Sequence, residues 1–463
     1  MKSKPIMILG CTSDAGKSLI VTAICRYLAN KGVSVAPFKA QNMSNNAAVT
    51  SEGLEIGRAQ YLQAIAAKVT PSVLMNPILL KPSADTFSQV IVNGKVDNAI
   101  AALPWGARKS SLWPHVQSAL KTLQSQYEQI IIEGAGSPAE INLREGDIVN
   151  MSVALECDAD VYIVSDIDRG GSFAHLLGTF LCLSDIEKQR VKGFVLNKFR
   201  GDEALLGNAL DWLEEKTGVP TVATLPYYRH QLPEEDAFRL GEKWQSGKIN
   251  VALIYYPYAS NLDEFDPLLQ HLELNLVPIT KECDLTPYDA VILPGSKNIG
   301  ASLSFLRETG LDEKIALFKE SKKAIVAICG GLQISGTTIY DPLFLEEGDK
   351  VGLNLINLST ALLQDKKTQQ TEFLWQGELI KGYEIHHGTS ISAEHVEPFL
   401  KEGLGWSFEN VYCTYLHGTF ENKAFYNWFM RKIGALETGV DWHDHLEVEL
   451  DDLASMFEKY SWL

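Results

Sequence analysis

Short runs of β-branched apolar residues alternate along the chain with stretches whose apolar positions recur every three or four residues. That alternation predicts parallel α/β sheets. PIMIL, at 5–9, reads as a strand; from about Lys17 onward Ile20, Ile24, Tyr27 and Leu28 share one helical face. Gly32 sits where a helix closes, and VSVAPFK starts the next strand. EQIIIEGAG, ADVYIVSDID and VKGFVLNKFRG predict further strands, the first running into a glycine loop. GEKWQSGKIN, at 241–250, has no apolar period and reads as a linker. The alternation then restarts with NVALIYYPY, LELNLVPI, YDAVILPGSKN and KKAIVAICGG. The pattern predicts two α/β domains, 1–245 and 250–463, the first a parallel sheet entered through its glycine loop.

Composition narrows the class. A chain of 463 residues, 46% hydrophobic and 21% charged, fits two or three globular domains with full cores. A formal net charge of -17 opposes a nucleic-acid or anionic-membrane partner. The seven cysteines are scattered and form no CxxC pair, so neither a disulfide framework nor a zinc module is expected. With no signal-peptide core and no apolar run near the roughly eighteen residues of a membrane helix, the expectation is a cytoplasmic protein.

Two motifs carry chemistry. In GCTSDAGKS, five residues separate Gly10 from Gly16, one more than in the usual phosphate loop, and Lys17 and Ser18 follow. Backbone N–H groups from Thr12 to Gly16, through Ser13, Asp14 and Ala15, would cradle phosphate oxygens. Lys17 would neutralise the outer phosphates and Ser18 would ligate Mg²⁺. Glu133, at the end of QIIIE, stands where a second metal-site oxygen belongs. EGAG lacks GxGxxG spacing and is not a dinucleotide fingerprint.

The second motif is AIVAICGGLQISG. It puts Cys329 between an apolar strand and a helix, with Gly330 and Gly331 next. A nucleophile on such an elbow is lifted clear of the sheet, and the N–H groups after it can hold an oxyanion. A base is available in His417 of VYCTYLHGTF.

AICGGLQ resembles the class I glutamine amidotransferase elbow G-x-C-x-G-x-Q, with Ala327 in place of the first glycine. By that resemblance Cys329 attacks the side-chain amide of glutamine, forming a glutamyl thioester and releasing ammonia. His417 serves as general base and acid, Gly295 and Gly330 supply oxyanion donors, and Gln333 belongs to the glutamine site. The usual motif has a glutamate two residues after the histidine; Thr419 stands there, so the third member is missing or comes from elsewhere. The first domain resembles dethiobiotin synthetase-like phosphate-loop enzymes. FKAQNMSNNA, GRAQYLQAIAA, LMNPILLKP, EGAGSPAEINL, SDIDRGGSFA, VLNKFRGD, LPEED, LPGSKN, GYEIHHG and YLHGTF resemble, in order, the cobyric acid synthase family.

That resemblance implies ATP- and Mg²⁺-dependent activation of carboxylates as acyl phosphates. Ammonia from glutamine would then amidate the b, d, e and g side chains of adenosylcobyrinic acid a,c-diamide. The corrinoid's carboxylates call for cations, and Lys39, Arg58, Lys81, Arg144, Arg169, Lys198 and Arg200 lie in or beside the matching stretches. Gln41, Asn42, Asn45 and Asn46 could bond amides or carboxylates, and His386 and His387 could wall the glutamine pocket. WHDHLE reads as part of a surface helix rather than a metal site. Two alternatives stay open: the same chemistry on another acid, and a nucleotide-dependent switch with an inert amidotransferase tail. Oligomeric state is not readable from the sequence.

Overall fold

The computed structural model describes residues 3–84, 87–233, 245–346, 348–437 and 441–463. The last three residues of LPEED and the first four of the expected linker lie outside the described residues. Six parallel strands form the first sheet, in the order Thr221–Pro226, Val191–Phe199, Asp160–Asp166, Ile6–Gly10, Gln129–Glu133 and Val35–Phe38. These strands are near-continuous apolar runs because helices cover both faces. The helix Lys17–Asn30 starts straight from the loop after Ile6–Gly10 and buries Ile20, Val21 and Ile24. The strand exits of this order bring the loop at 11–16 beside Glu133 and Asp166.

A second sheet holds Leu274–Ile279, Ile249–Ile254, Ala290–Leu293, Ala324–Ile328 and Val411–Thr414 in parallel, extended by antiparallel Gly405–Phe408 and Glu397–Pro398. Over it stands a long hairpin, Leu358–Trp375 with Glu378–Ser392. Its turn is Gln376–Gly377, both at positive φ (52° and 86°), the two-residue geometry whose twist matches paired strands. A register shift between Ala361 and Lys366 re-aims the first strand, so Lys366 points into the other domain.

The two sheets share a buried seam. Ala47 and Val49, from a short ribbon pairing Ala47–Val49 with Glu55–Gly57, pack with Leu79, Ile91, Tyr383 and Ile385. Glu55 is buried between Lys81 of its own domain (2.9 Å) and Lys366 of the hairpin (2.6 Å). Burial pushes the Glu55 carboxyl up, but the two ammonium groups outweigh it and hold it at about 2.

The end of the chain departs from the division expected at 250–463. The helix Trp442–Tyr460 leaves the second sheet and packs on Lys17–Asn30 of the first domain. Trp442, Leu446, Leu450, Leu453 and Phe457 form its inward face, joining the core with Ile20 and Ile24. Arg26 is buried beneath it, paired with Glu447 (2.6 Å) and Asp451 (2.7 Å). The 3.6-residue period is visible in the sequence, but a period does not say which sheet will cover it. The tryptophan of WHDHLE is thus a core residue of the first domain rather than part of a free surface.

Candidate active site

The phosphate loop is closed by its own chain. Gly16 takes φ +94°, and a β-carbon there would come within 2.1 Å of Asn197 Nδ2, so glycine is required twice over. Asn197 donates to the Ala15 carbonyl (2.9 Å), fixing the loop from the strand Val191–Phe199, two places along the sheet. Lys17 Nζ donates to the carbonyls of Thr12 and Gly136, both at 3.3 Å. Ser18 Oγ donates to Glu133 Oε1 at 2.8 Å. Glu133 is buried and also accepts from Lys39 (2.9 Å) and Gln63 (2.6 Å). Asp14 and Ser13 face solvent, with Arg169 3.3 Å from the Asp14 carboxylate. The sequence placed Ser18 and Glu133 in one site from 115 residues apart, and the fold brings them into contact.

Around the thiol the geometry is equally specific. Cys329 sits between strand Ala324–Ile328 and helix Gly330–Ser335 with φ +51° and ψ -106°, a strained elbow for a residue with a side chain. Glycines permit the close approach. A β-carbon on Gly330 would lie 2.5 Å from Ser296 N, and one on Gly295 would lie 3.2 Å from His417 Cε1. The thiol donates to the Ile385 carbonyl at 3.5 Å and lines one cavity with His417. Gln333 donates to the His387 carbonyl (2.8 Å) and so ties the elbow helix to the hairpin.

The third member comes from elsewhere. His417 Nδ1 is 3.0 Å from Glu264 Oε1, and Gly418 N donates to Glu264 Oε2 at 3.1 Å. Cys329, His417 and Glu264 are all buried. Burial alone would lower the imidazole, but the charges of Glu264 and Cys329 overcome it and raise His417 to about 10. Tyr383 stacks on the imidazole, ring centroids 5.4 Å apart. Glu264 lies 153 residues before His417 in ASNLDEFDP, a segment with no period and no motif. Its only signal in the sequence is a carboxylate pair set among Leu262, Phe265 and Leu268.

A cavity of about 40 Å³ opens on these groups. His386 and His387 line it as expected, but so do three lysines, Lys81, Lys297 and Lys366, which the sequence did not assign to glutamine. Lys81 belongs to the phosphate-loop domain, so the cavity's wall crosses the seam. Lys297 is half-buried there; burial and then Lys81 lower its pKa, against the charges of Glu346 and Glu55, which raise it.

Several substrate candidates are already committed within the protein. Asn42 donates to Gln60 (3.1 Å), Lys39 is on Glu133, and Arg144 is on Glu187. Lys198 lies on Asp166 (2.8 Å) and Arg200 on Asp168 (3.0 Å). Arg58 and Asn46 reach across to the second domain, and Lys81 shares Glu55 with Lys366 from that side. Asn45 differs: its Oδ1 is buried with no hydrogen-bond partner. Gln41 is half-buried nearby in the chain, and Met43 is exposed.

A phosphate loop on a parallel sheet, joined to a Cys–His–Glu elbow site, defines a nucleotide-binding domain fused to a glutamine amidotransferase. Family models agree: residues 6–238 match the CobQ/CobB/MinD/ParA nucleotide binding domain, and 250–425 the CobB/CobQ-like glutamine amidotransferase domain. The second match stops before the helix that returns to the first domain. Cobyric acid synthase of Deinococcus radiodurans is 48% identical, with 92% of each chain covered. That of Albidiferax ferrireducens is 46% identical over 91% of each chain, and that of Polaromonas naphthalenivorans 46% over 91% of this chain and 92% of the relative. The chain belongs to the cobyric acid synthase family, and it is accordingly a ligase with a glutamine amidotransferase domain, its broad role amidation in cobalamin biosynthesis. Among the described residues no helix is long and apolar enough to cross a membrane.

Proposed function

We propose that this enzyme amidates the b, d, e and g side chains of adenosylcobyrinic acid a,c-diamide to give adenosylcobyric acid, using ATP and glutamine. A carboxylate oxygen attacks the γ-phosphorus of ATP, giving an acyl phosphate and ADP. Ammonia then attacks the acyl carbon, and phosphate leaves with the C–O bond's electron pair. The observation that carries the reading is the Cys329–His417–Glu264 cluster, whose Cys329 and His417 line a cavity shared with Lys81 of the phosphate-loop domain. That arrangement supports a nitrogen source acting beside a carboxylate-activating domain.

In the first half, the loop N–H groups and Lys17 would hold the triphosphate. Ser18 and Glu133 offer hard oxygens that suit Mg²⁺, which takes few protein ligands and keeps water and phosphate oxygens. When bound, that ion would neutralise charge on the transferring phosphoryl group. Lys39, held at Glu133, is close enough to the same site to serve the phosphates as well. The unpartnered Asn45 amide oxygen supports a ligand with N–H donors, as the substrate's two amides supply, and Gln41 and Arg169 are the further candidates for its polar groups.

In the second half, the proton of the Cys329–His417 pair rests on the imidazole, and the thiolate attacks the glutamine amide. Backbone N–H groups at Gly295 and Gly330 would meet the oxyanion. The His417 imidazolium then protonates the departing ammonia. Gln333 keeps the hairpin wall in place. Lys297, half-buried in the cavity wall, would meet the glutamine α-carboxylate. Lys297→Met is expected to raise the glutamine KM about 10- to 100-fold, the worth of one charge-assisted bond. The rate with ammonium chloride in place of glutamine should stay level; steady-state kinetics with each nitrogen source checks this.

The reaction itself is tested by mass spectrometry on cobyrinic acid a,c-diamide with ATP, Mg²⁺ and glutamine. Four successive decreases of about one mass unit each, hydroxyl replaced by amine at an acyl centre, are expected. Glutaminase with no mass change would move the chemistry to another acid. Loss of both would remove the ligase reading.

A further inference from the structure

Arg58 and Asn46 came forward as substrate contacts, yet both face the amidotransferase domain. Their partners flank the acid of the glutaminase site. Arg58 lies 2.6 Å from Asp263 and 2.6 Å from Glu421, with all three side chains nearly enclosed. Asp263 precedes Glu264 in the chain, and Glu421 lies in the turn Thr419–Glu421 that follows His417. One guanidinium therefore clamps the segment bearing the acid to the segment bearing the base.

Asn46 completes the grip. Its Oδ1 accepts from Asn261 N (2.8 Å), while Asn261 Oδ1 accepts from Ala47 N (3.1 Å). Asn261 is in the left-handed region at φ +56° and opens the turn Leu262–Phe265. Its side-chain amide also reaches the hydroxyl of Tyr383, the residue stacked on His417. The turn carrying Glu264 is thus held at its start by Asn46 and in its middle by Arg58.

Charge makes the clamp consequential. Removing Arg58 leaves two carboxylates in a buried site without their shared cation, a state that must relax by movement or protonation. The residue attached to one of them is Glu264. The guanidinium donates to Glu421 and sets its charge against Asp263, whose oxygens accept no hydrogen bond among the described residues; an ammonium is a single point charge on a shorter reach, so lysine at this position would restore the grip only in part.

We propose that Arg58 is a positioning residue of the glutaminase: supplied by the synthetase domain, it holds Glu264 on His417 through Asp263 and Glu421. This rests on the amidotransferase reading above. It also means that the stretch from Gln41 to Arg58, where the corrinoid is expected to sit, is the stretch that aligns the ammonia-releasing acid.

The test compares Arg58→Gln, Arg58→Lys and Asp263→Asn in the full-length protein, each driven by glutamine and by ammonium chloride. With glutamine, kcat of Arg58→Gln should fall about 10- to 100-fold, the cost of a misaligned base, with the glutamine KM little changed. Ammonium-driven amidation and the corrinoid KM should match the unmodified enzyme. Arg58→Lys should recover only part of the loss. Asp263→Asn should reproduce the defect from the other domain, and the double variant should fall no further than either single one. If glutamine turnover is unchanged in Arg58→Gln, the proposal fails. If ammonium-driven amidation drops with a raised corrinoid KM, Arg58 is a substrate contact and the proposal fails. An inactive unmodified enzyme would instead overturn the functional reading itself.

Discussion

Cys329→Ala is expected to end glutamine-driven amidation, with glutaminase lowered by at least about 10⁴-fold. Amidation from ammonium chloride should survive at the rate of the unmodified enzyme. Cys329 lies on the elbow of the second sheet, and the phosphate loop lies at the strand ends of the first, so removing a sulfur atom leaves carboxylate activation untouched. Alanine also removes bulk at a buried position, with the same backbone demand at φ +51°. Parallel assays with the two nitrogen sources, plus a thermal melt, check the outcome. Equal loss from both sources would mean that the site is structural.

Glu264→Gln should be almost as severe, lowering glutaminase on the order of 10³- to 10⁴-fold, as when a buried triad acid loses its charge. It should also move the pH profile. His417 is raised to about 10 because the Glu264 and Cys329 charges outweigh burial. Its imidazolium is therefore retained through neutral pH and lost as pH rises past that value. Without the Glu264 charge, burial, which lowers the imidazole, gains weight. The alkaline limb of the glutaminase profile should then shift toward lower pH, and residual activity should be greatest on the acid side. Measuring kcat/KM for glutamine from about pH 6 to about pH 10.5 checks this. An unshifted limb would remove Glu264 from the site.

Legibility followed distance along the chain. Gly16, Lys17 and Ser18 are contiguous, and Glu133 ends a strand whose apolar run announces it, so one site could be read from local spacing. Cys329 was legible for the same reason: strand, cysteine, two glycines, helix. Glu264 was not, because nothing local distinguishes a carboxylate in ASNLDEFDP from one on a solvated turn. Its role exists only where the segment after strand Ile249–Ile254 meets the loop after Val411–Thr414. Arg58 and Lys81 were read as cations for the substrate or phosphate, because sequence alone could not tell a corrinoid carboxylate from Asp263 or Glu55 as the counter-charge. The C-terminal helix escaped the expected division for a related reason. An amphipathic face identifies something to be covered and leaves the cover unnamed.

The helix Trp442–Tyr460 has a consequence for how the molecule is made. It lies on the helix that begins at Lys17, and segments 425 residues apart, at Arg26 and Asp451, meet there. Domains usually fold in the order in which they leave the ribosome. Here the phosphate-loop domain precedes the amidotransferase, yet one apolar flank, around Ile20 and Ile24, waits uncovered until residues 442–460 are free. A nascent chain therefore holds an incomplete nucleotide-binding unit throughout synthesis of the amidotransferase. A nonsense mutation just before the codon for Trp442 would disable the half of the enzyme that had been translated first.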